Sequence, residues 1–135
     1  MARAAAVRLI ACCVLGVIGS GHVLGAAKAA VAAIPPDKIC AYSGPPFVGP
    51  CFTIHGRLYA GADNIAVRIW RVGTHRILGY PDKGLPCGIP PELEPPLRAE
   101  KTIYADVTVR PVTESEPGVM QFVCIVSATN VSVQD

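Results

Sequence analysis

From Cys51 onward, apolar and polar residues alternate in one segment after another, and a two-residue period is the mark of a half-buried strand. In CFTIHGRLYA, Phe52, Ile54 and Leu58 fall on one side, and Thr53, His55, Arg57 and Tyr59 on the other. IAVRIWRV repeats the pattern, with Ile65, Val67 and Ile69 opposite Arg68 and Trp70. Gly61-Ala62-Asp63-Asn64 lies between them, and Gly and Asn tolerate the positive φ of a tight turn. The two segments predict a β-hairpin. Gly73-Thr74 turns the chain again, and HRILGY predicts a short third strand closed by Pro81-Asp82-Lys83-Gly84. KTIYADVTVRPVT predicts a fourth, alternating Ile103, Ala105, Val107 and Val109 against Tyr104, Asp106 and Thr108. After a turn at Glu114-Ser115-Glu116-Pro117-Gly118, VMQFVCIVSA is apolar on both faces except at Gln121, which predicts the most buried strand. Residues 129–135 either add an edge strand or fray.

Two stretches lack the period. IPPDKICAYSGPPFVGP, residues 34–50, is a Pro/Gly-rich arm expected to hold only extended or turn segments. LPCGIPPELEPPL, residues 85–97, has five prolines in thirteen positions. It predicts an extended surface loop held by Cys87, with room for one helical turn near Glu92 to Arg98. No helical period follows residue 33, so the fold class is all-β. Five or six strands, with the longest excursion between the third and fourth, predict a small antiparallel barrel of OB-like form; a small β-sandwich is the alternative.

The N-terminus follows a different rule. Arg3 and Arg8 precede an uncharged apolar run from Leu9, and AxA-like triplets occur at Ala27-Lys28-Ala29 and Ala30-Val31-Ala32. A basic start, an apolar centre and a small-residue cleavage zone make residues 1–33 a signal peptide, with a helical apolar stretch. The alternative is an uncleaved anchor, since Leu9 to Ala27 carries no charge. A lipobox at Leu9-Ile10-Ala11-Cys12 fits poorly, because the apolar run continues past the cysteine. Export places residues 34–50 and the β domain, 51–135, in the periplasm or outside the cell.

Removal of the leader changes the charge. The whole chain is +2, but from Ile34 onward there are nine Lys/Arg against ten Asp/Glu, a net −1. That balance offers no electrostatic footprint for nucleic acid, and the membrane is reached only through an uncleaved leader. Four cysteines remain, Cys40, Cys51, Cys87 and Cys124, and an even count in an exported small domain reads as disulfides. Loop geometry favours Cys40 with Cys51 and Cys87 with Cys124. No pair has zinc-site spacing and no CxxC lies in the mature region, so neither a metal nor a cofactor is implied.

Candidate chemistry concentrates in one place. His55, Arg57, Tyr59, Arg68, Trp70, Arg71, His75 and Arg76 fall within 22 residues. On the predicted hairpin, His55, Arg57 and Tyr59 share a face and Arg68 and Trp70 oppose them. Arginine over Trp or Tyr makes a cation–π surface for a carboxylate, a sulfated or phosphorylated group, or a sugar ring. His55 and His75 are the only histidines beyond the leader, and a metal site there needs a third ligand such as Asp63 or Asp82. No GxSxG occurs, and the paired carboxylates Glu92/Glu94 and Glu114/Glu116 sit beside prolines in solvated loops. Asn130-Val131-Ser132 is a formal glycosylation sequon, read as chance in an Ala/Val/Gly/Pro-rich, lysine-poor chain of bacterial character. CFTIHGRL, VRIWRVGTHRILG and GVMQFVCI resemble segments of exported bacterial proteins, which implies location and no mechanism. The expected role is non-catalytic binding of an envelope protein, a glycan or a small anionic ligand. The alternatives are a small hydrolase or metal-dependent enzyme using His55 and His75, and a protease inhibitor acting through residues 85–97.

Overall fold

The computed structural model describes residues 31–135, and the leader's predicted helix lies outside them. Five strands form in the predicted order: β1 Phe52–Ala60, β2 Ile65–Arg71, β3 Ile77–Pro81, β4 Thr102–Pro111 and β5 Gln121–Gln134. They close into a barrel in the order β1-β2-β3-β5-β4. This is the OB-type arrangement, not a sandwich. Four of the five seams are antiparallel, but β3 and β5 run parallel and pair only at Leu78 with Gln121 and Gly79 with Phe122. One parallel seam is required by closure: five strands are an odd number, so they cannot alternate direction all the way round the ring.

The alternation assigns the faces. Ile54, Leu58, Val67, Ile69, Leu78, Ile103, Ala105, Val107, Val109, Val123 and Ile125 point inward and are buried. Closure hides both faces of the apolar rows and most ladder edges, the usual gain of a barrel over an open sheet. Gly56 lies where β1 coils tightly over β2: a Cβ there would sit 2.8 Å from Ile69 Cγ2. In the β1–β2 turn the left-handed residue is Asp63, with φ 60°, and not Gly61 or Asn64.

Three segments depart from their expected form. The Pro/Gly-rich arm holds a short helix, α1 Pro36–Ile39, begun by a proline at its first turn, where no N–H is needed. Its Ile39 is fully buried, so the arm is part of the core. The 85–97 segment is not an extended surface strap. It packs inward through Pro86, Cys87, Pro90, Leu93 and Leu97, while α2 Glu94–Arg98 forms where the sequence left room for a helical turn. Residues 129–134 neither fray nor form a separate strand. They continue β5 along β4 as far as Thr102 opposite Gln134, through a bulge at which Asn130 has φ 51°.

Two disulfides brace this body. Cys40 joins Cys51, with a Cα–Cα separation of 5.5 Å, and Cys87 joins Cys124 at 6.0 Å. The first ties the arm to the start of β1. The second ties the β3–β4 excursion to β5. Two such bonds fit an oxidising compartment. Among the described residues no helix is long and apolar enough to cross a membrane.

Candidate functional site

The hairpin places the polar cluster by register. Arg57 lies directly opposite Trp70, and Tyr59 opposite Arg68. All four side chains belong to the outward rows of β1 and β2, because their neighbours Leu58, Val67 and Ile69 point inward. Trp70 Nε1 donates to the Thr74 carbonyl at 2.6 Å, which fixes the indole against the β2–β3 turn. Thr74 Oγ1 in turn donates to the Arg71 carbonyl at 2.8 Å and accepts from the Arg76 N–H at 3.0 Å. The turn is thus rigid where it meets the sheet. Arg57, Tyr59, Trp70, Thr74, His75 and Ile77 line a cleft of about 480 Å³, within the usual range for a small-molecule site.

The electrostatics of the cleft are one-sided. Among the described residues neither Arg57 nor Arg68 forms an ion pair with a carboxylate. Their Nε atoms are covered and have no hydrogen-bond partner. Of each guanidinium, it is the terminal nitrogens rather than the Nε side that are left to donate to a ligand. The cation–π contact expected over Trp70 or Tyr59 is not what forms. The described cation–π contact belongs to Arg110, 4.4 Å over the Phe47 ring.

His55 leaves the cleft for the neighbouring seam. β1 pairs with β4 so that His55 faces Asp106, and its Nδ1 lies 2.9 Å from Asp106 Oδ1. The carboxylate is an acceptor, so Nδ1 carries the hydrogen and Nε2 is left to the outside. Asn130, turned by the bulge in β5, donates to Asp106 Oδ2 at 2.7 Å. The Asn130 amide first and the His55 ring second hold the Asp106 carboxyl below its ordinary pKa. Tyr104 lies across from Arg57 on β4 and stacks beside the His55 ring at 6.4 Å.

No protein-family model, curated protein or solved structure matches the chain. The site therefore rests on its own geometry. Of the residues picked out in sequence, Arg57, Tyr59, Arg68 and Trp70 come together, His75 joins the cleft wall, and His55 belongs to a separate Asp106–Asn130 network. Among the described residues no three His, Cys, Asp or Glu side chains gather as metal ligands, so Asp63 and Asp82 do not complete a site with the histidines. Asp106, Tyr104, Asn130 and Ile77 were not legible as site neighbours. Asp106 and Tyr104 alternate outward in sequence, but only closure of β4 onto β1, some fifty residues away, gives them a partner.

Proposed function

We propose that this chain is an exported, non-catalytic binding domain whose β1–β2 outer face takes a glycan or a small anionic ligand, free or displayed by an envelope partner. The observation that carries the reading is a cleft in which Trp70 and Tyr59 stand beside Arg57, with Arg68 opposite Tyr59 on the same outer face and, among the described residues, no carboxylate paired with either arginine. Aromatic faces accept the C–H face of a sugar ring, and guanidinium forks accept carboxylate, sulfate or phosphate. Barrels of this topology use the neighbouring β2–β3 face for oligosaccharides and oligonucleotides, an analogy of fold only. The net −1 of the exported part favours a ligand read by local charge over a polyanion such as nucleic acid. The three-part, signal-like pattern of residues 1–33, together with the oxidised cysteines, supports a periplasmic or secreted location.

The test is affinity electrophoresis and glycan-array binding with the oxidised protein, using neutral and acidic polysaccharides. Arg57→Gln and Trp70→Ala are expected to weaken binding about tenfold or more, while the melting temperature stays within a few degrees. Equal binding by the two variants and the parent would refute the assignment. A second reading draws on the Asp106-held imidazole: with Nδ1–H donated to the carboxylate, Nε2 is the nitrogen left to accept a proton. Hydrolysis of a screened ester or phosphoester by the parent, lost in His55→Ala, would establish it over pure binding.

A further inference from the structure

The inward rows of the barrel are apolar for most of their length and change character at one end. On β2 the row runs Val67, Ile69, Arg71; on β3 it runs Tyr80, Leu78 and, just before the strand, Arg76; on β5 it runs Ile125, Val123, Gln121. Arg71 N–H bonds to the Arg76 carbonyl at 2.9 Å, so the two arginines end the hairpin as a pair, and paired residues project to the same face of a sheet. The last inward residue of β1 at this end is Phe52. The result is a mouth of about 390 Å³, floored by Phe52 and Leu78 and rimmed by Arg71, Arg76, Ser115 and Gln121.

The rim is built, and it is cationic. An Arg76 terminal nitrogen donates to Ser115 Oγ and, at 3.3 Å, to Gln121 Oε1. Gln121, 7% exposed, donates its own amide to the Thr113 carbonyl at 3.0 Å. Each of these partners is neutral, so they orient the guanidinium without cancelling its charge. Glu114 and Glu116 flank Ser115, yet neither forms an ion pair with Arg71 or Arg76 among the described residues. Two uncompensated guanidiniums above an apolar floor match a molecule with a planar anionic head and a short hydrocarbon or aromatic tail.

We propose that this barrel mouth binds small organic monocarboxylates, the carboxylate on Arg76 and Arg71 and the tail against Phe52 and Leu78. The site uses none of Arg57, Tyr59, Arg68 or Trp70 and stands independently of the outer-face reading. The test is calorimetric titration of the oxidised protein with acetate, hexanoate, benzoate, inorganic phosphate, hexanamide and benzamide. Hexanoate and benzoate are expected to bind about tenfold tighter than acetate, from burial of the tail, and the amides to bind at least about tenfold more weakly than their acids. Gln121→Glu places a carboxylate on Arg76 and is expected to abolish hexanoate binding, as is Arg76→Gln. Arg71→Gln, at an exposed position, is expected to weaken it with the melting temperature unchanged, which keeps the test valid if the other two variants fold poorly. Arg98→Gln, on α2 and outside both sites, is expected to leave it intact. Amides binding as well as acids, phosphate binding as well as hexanoate, no titrant binding at all, or loss in Arg98→Gln with none in Arg71→Gln would each overturn the proposal.

Discussion

Arg110 is the residue on which the arm depends. It is 9% exposed and has no acidic partner among the described residues; its donors go instead to backbone carbonyls of Gly49, Ile39 and Tyr42, and its plane covers Phe47. Replacing it with methionine keeps the apolar stem but strands three carbonyls. Arg110→Met is expected to cost about 3 kcal/mol in urea unfolding, far more than the same change at exposed Arg71. The sequence did not announce this: Arg110 falls on the outward row beside inward Val109, and it is buried because the arm of residues 34–50 folds over it. Tyr80 carries a second residue-scale consequence. Burial first and Asp82 second raise its phenol above the ordinary value near 10, and its hydroxyl donates to the Cys87 carbonyl at 2.7 Å. A raised pKa means that its contribution is complete below pH 10 and is lost as pH climbs through the folded-state value. Tyr80→Phe should therefore be about 1 kcal/mol less stable than the parent at pH 7, and the gap should close above pH 10.

At the scale of elements, the hairpin, the number of strands and the places where the chain turns were written in the two-residue period, because each depends on neighbours within a few residues. The exceptions share a cause. α1 and the inward turn of residues 85–97 are set by proline geometry combined with single apolar anchors, Ile39, Leu93 and Leu97, whose burial only the assembled barrel decides. The same holds for the outer face: Arg57 and Trp70 could be matched from the hairpin alone, whereas the His55–Asp106–Asn130 network needed the closure of β4 and a bulge in β5. The disulfides differ in what they restrain. Cys87 and Cys124 are 37 residues apart and Cys40 and Cys51 are 11, so the longer loop loses more freedom in the unfolded chain. Removing Cys87–Cys124 by paired serine substitution should cost about 4 kcal/mol, and Cys40–Cys51 about 3 kcal/mol, measured by chemical denaturation.

For the molecule as a whole, the unequal seams matter most. β1 and β4 pair over seven positions, whereas β3 and β5 meet at two. Amides at the β3–β5 seam are expected to exchange with solvent deuterium well before those of β1 and β4, through partial opening rather than global unfolding. Matching rates across both seams would count against this. The covalent link between Cys87 and Cys124 spans the same place, joining the chain that follows β3 to the body of β5. The ring is thus shut on one side by a sulfur clasp more than by a backbone ladder. Held in a thiol-rich milieu, such a ring would uncurl into a five-stranded ribbon with two raw margins, sticky and open to proteolysis.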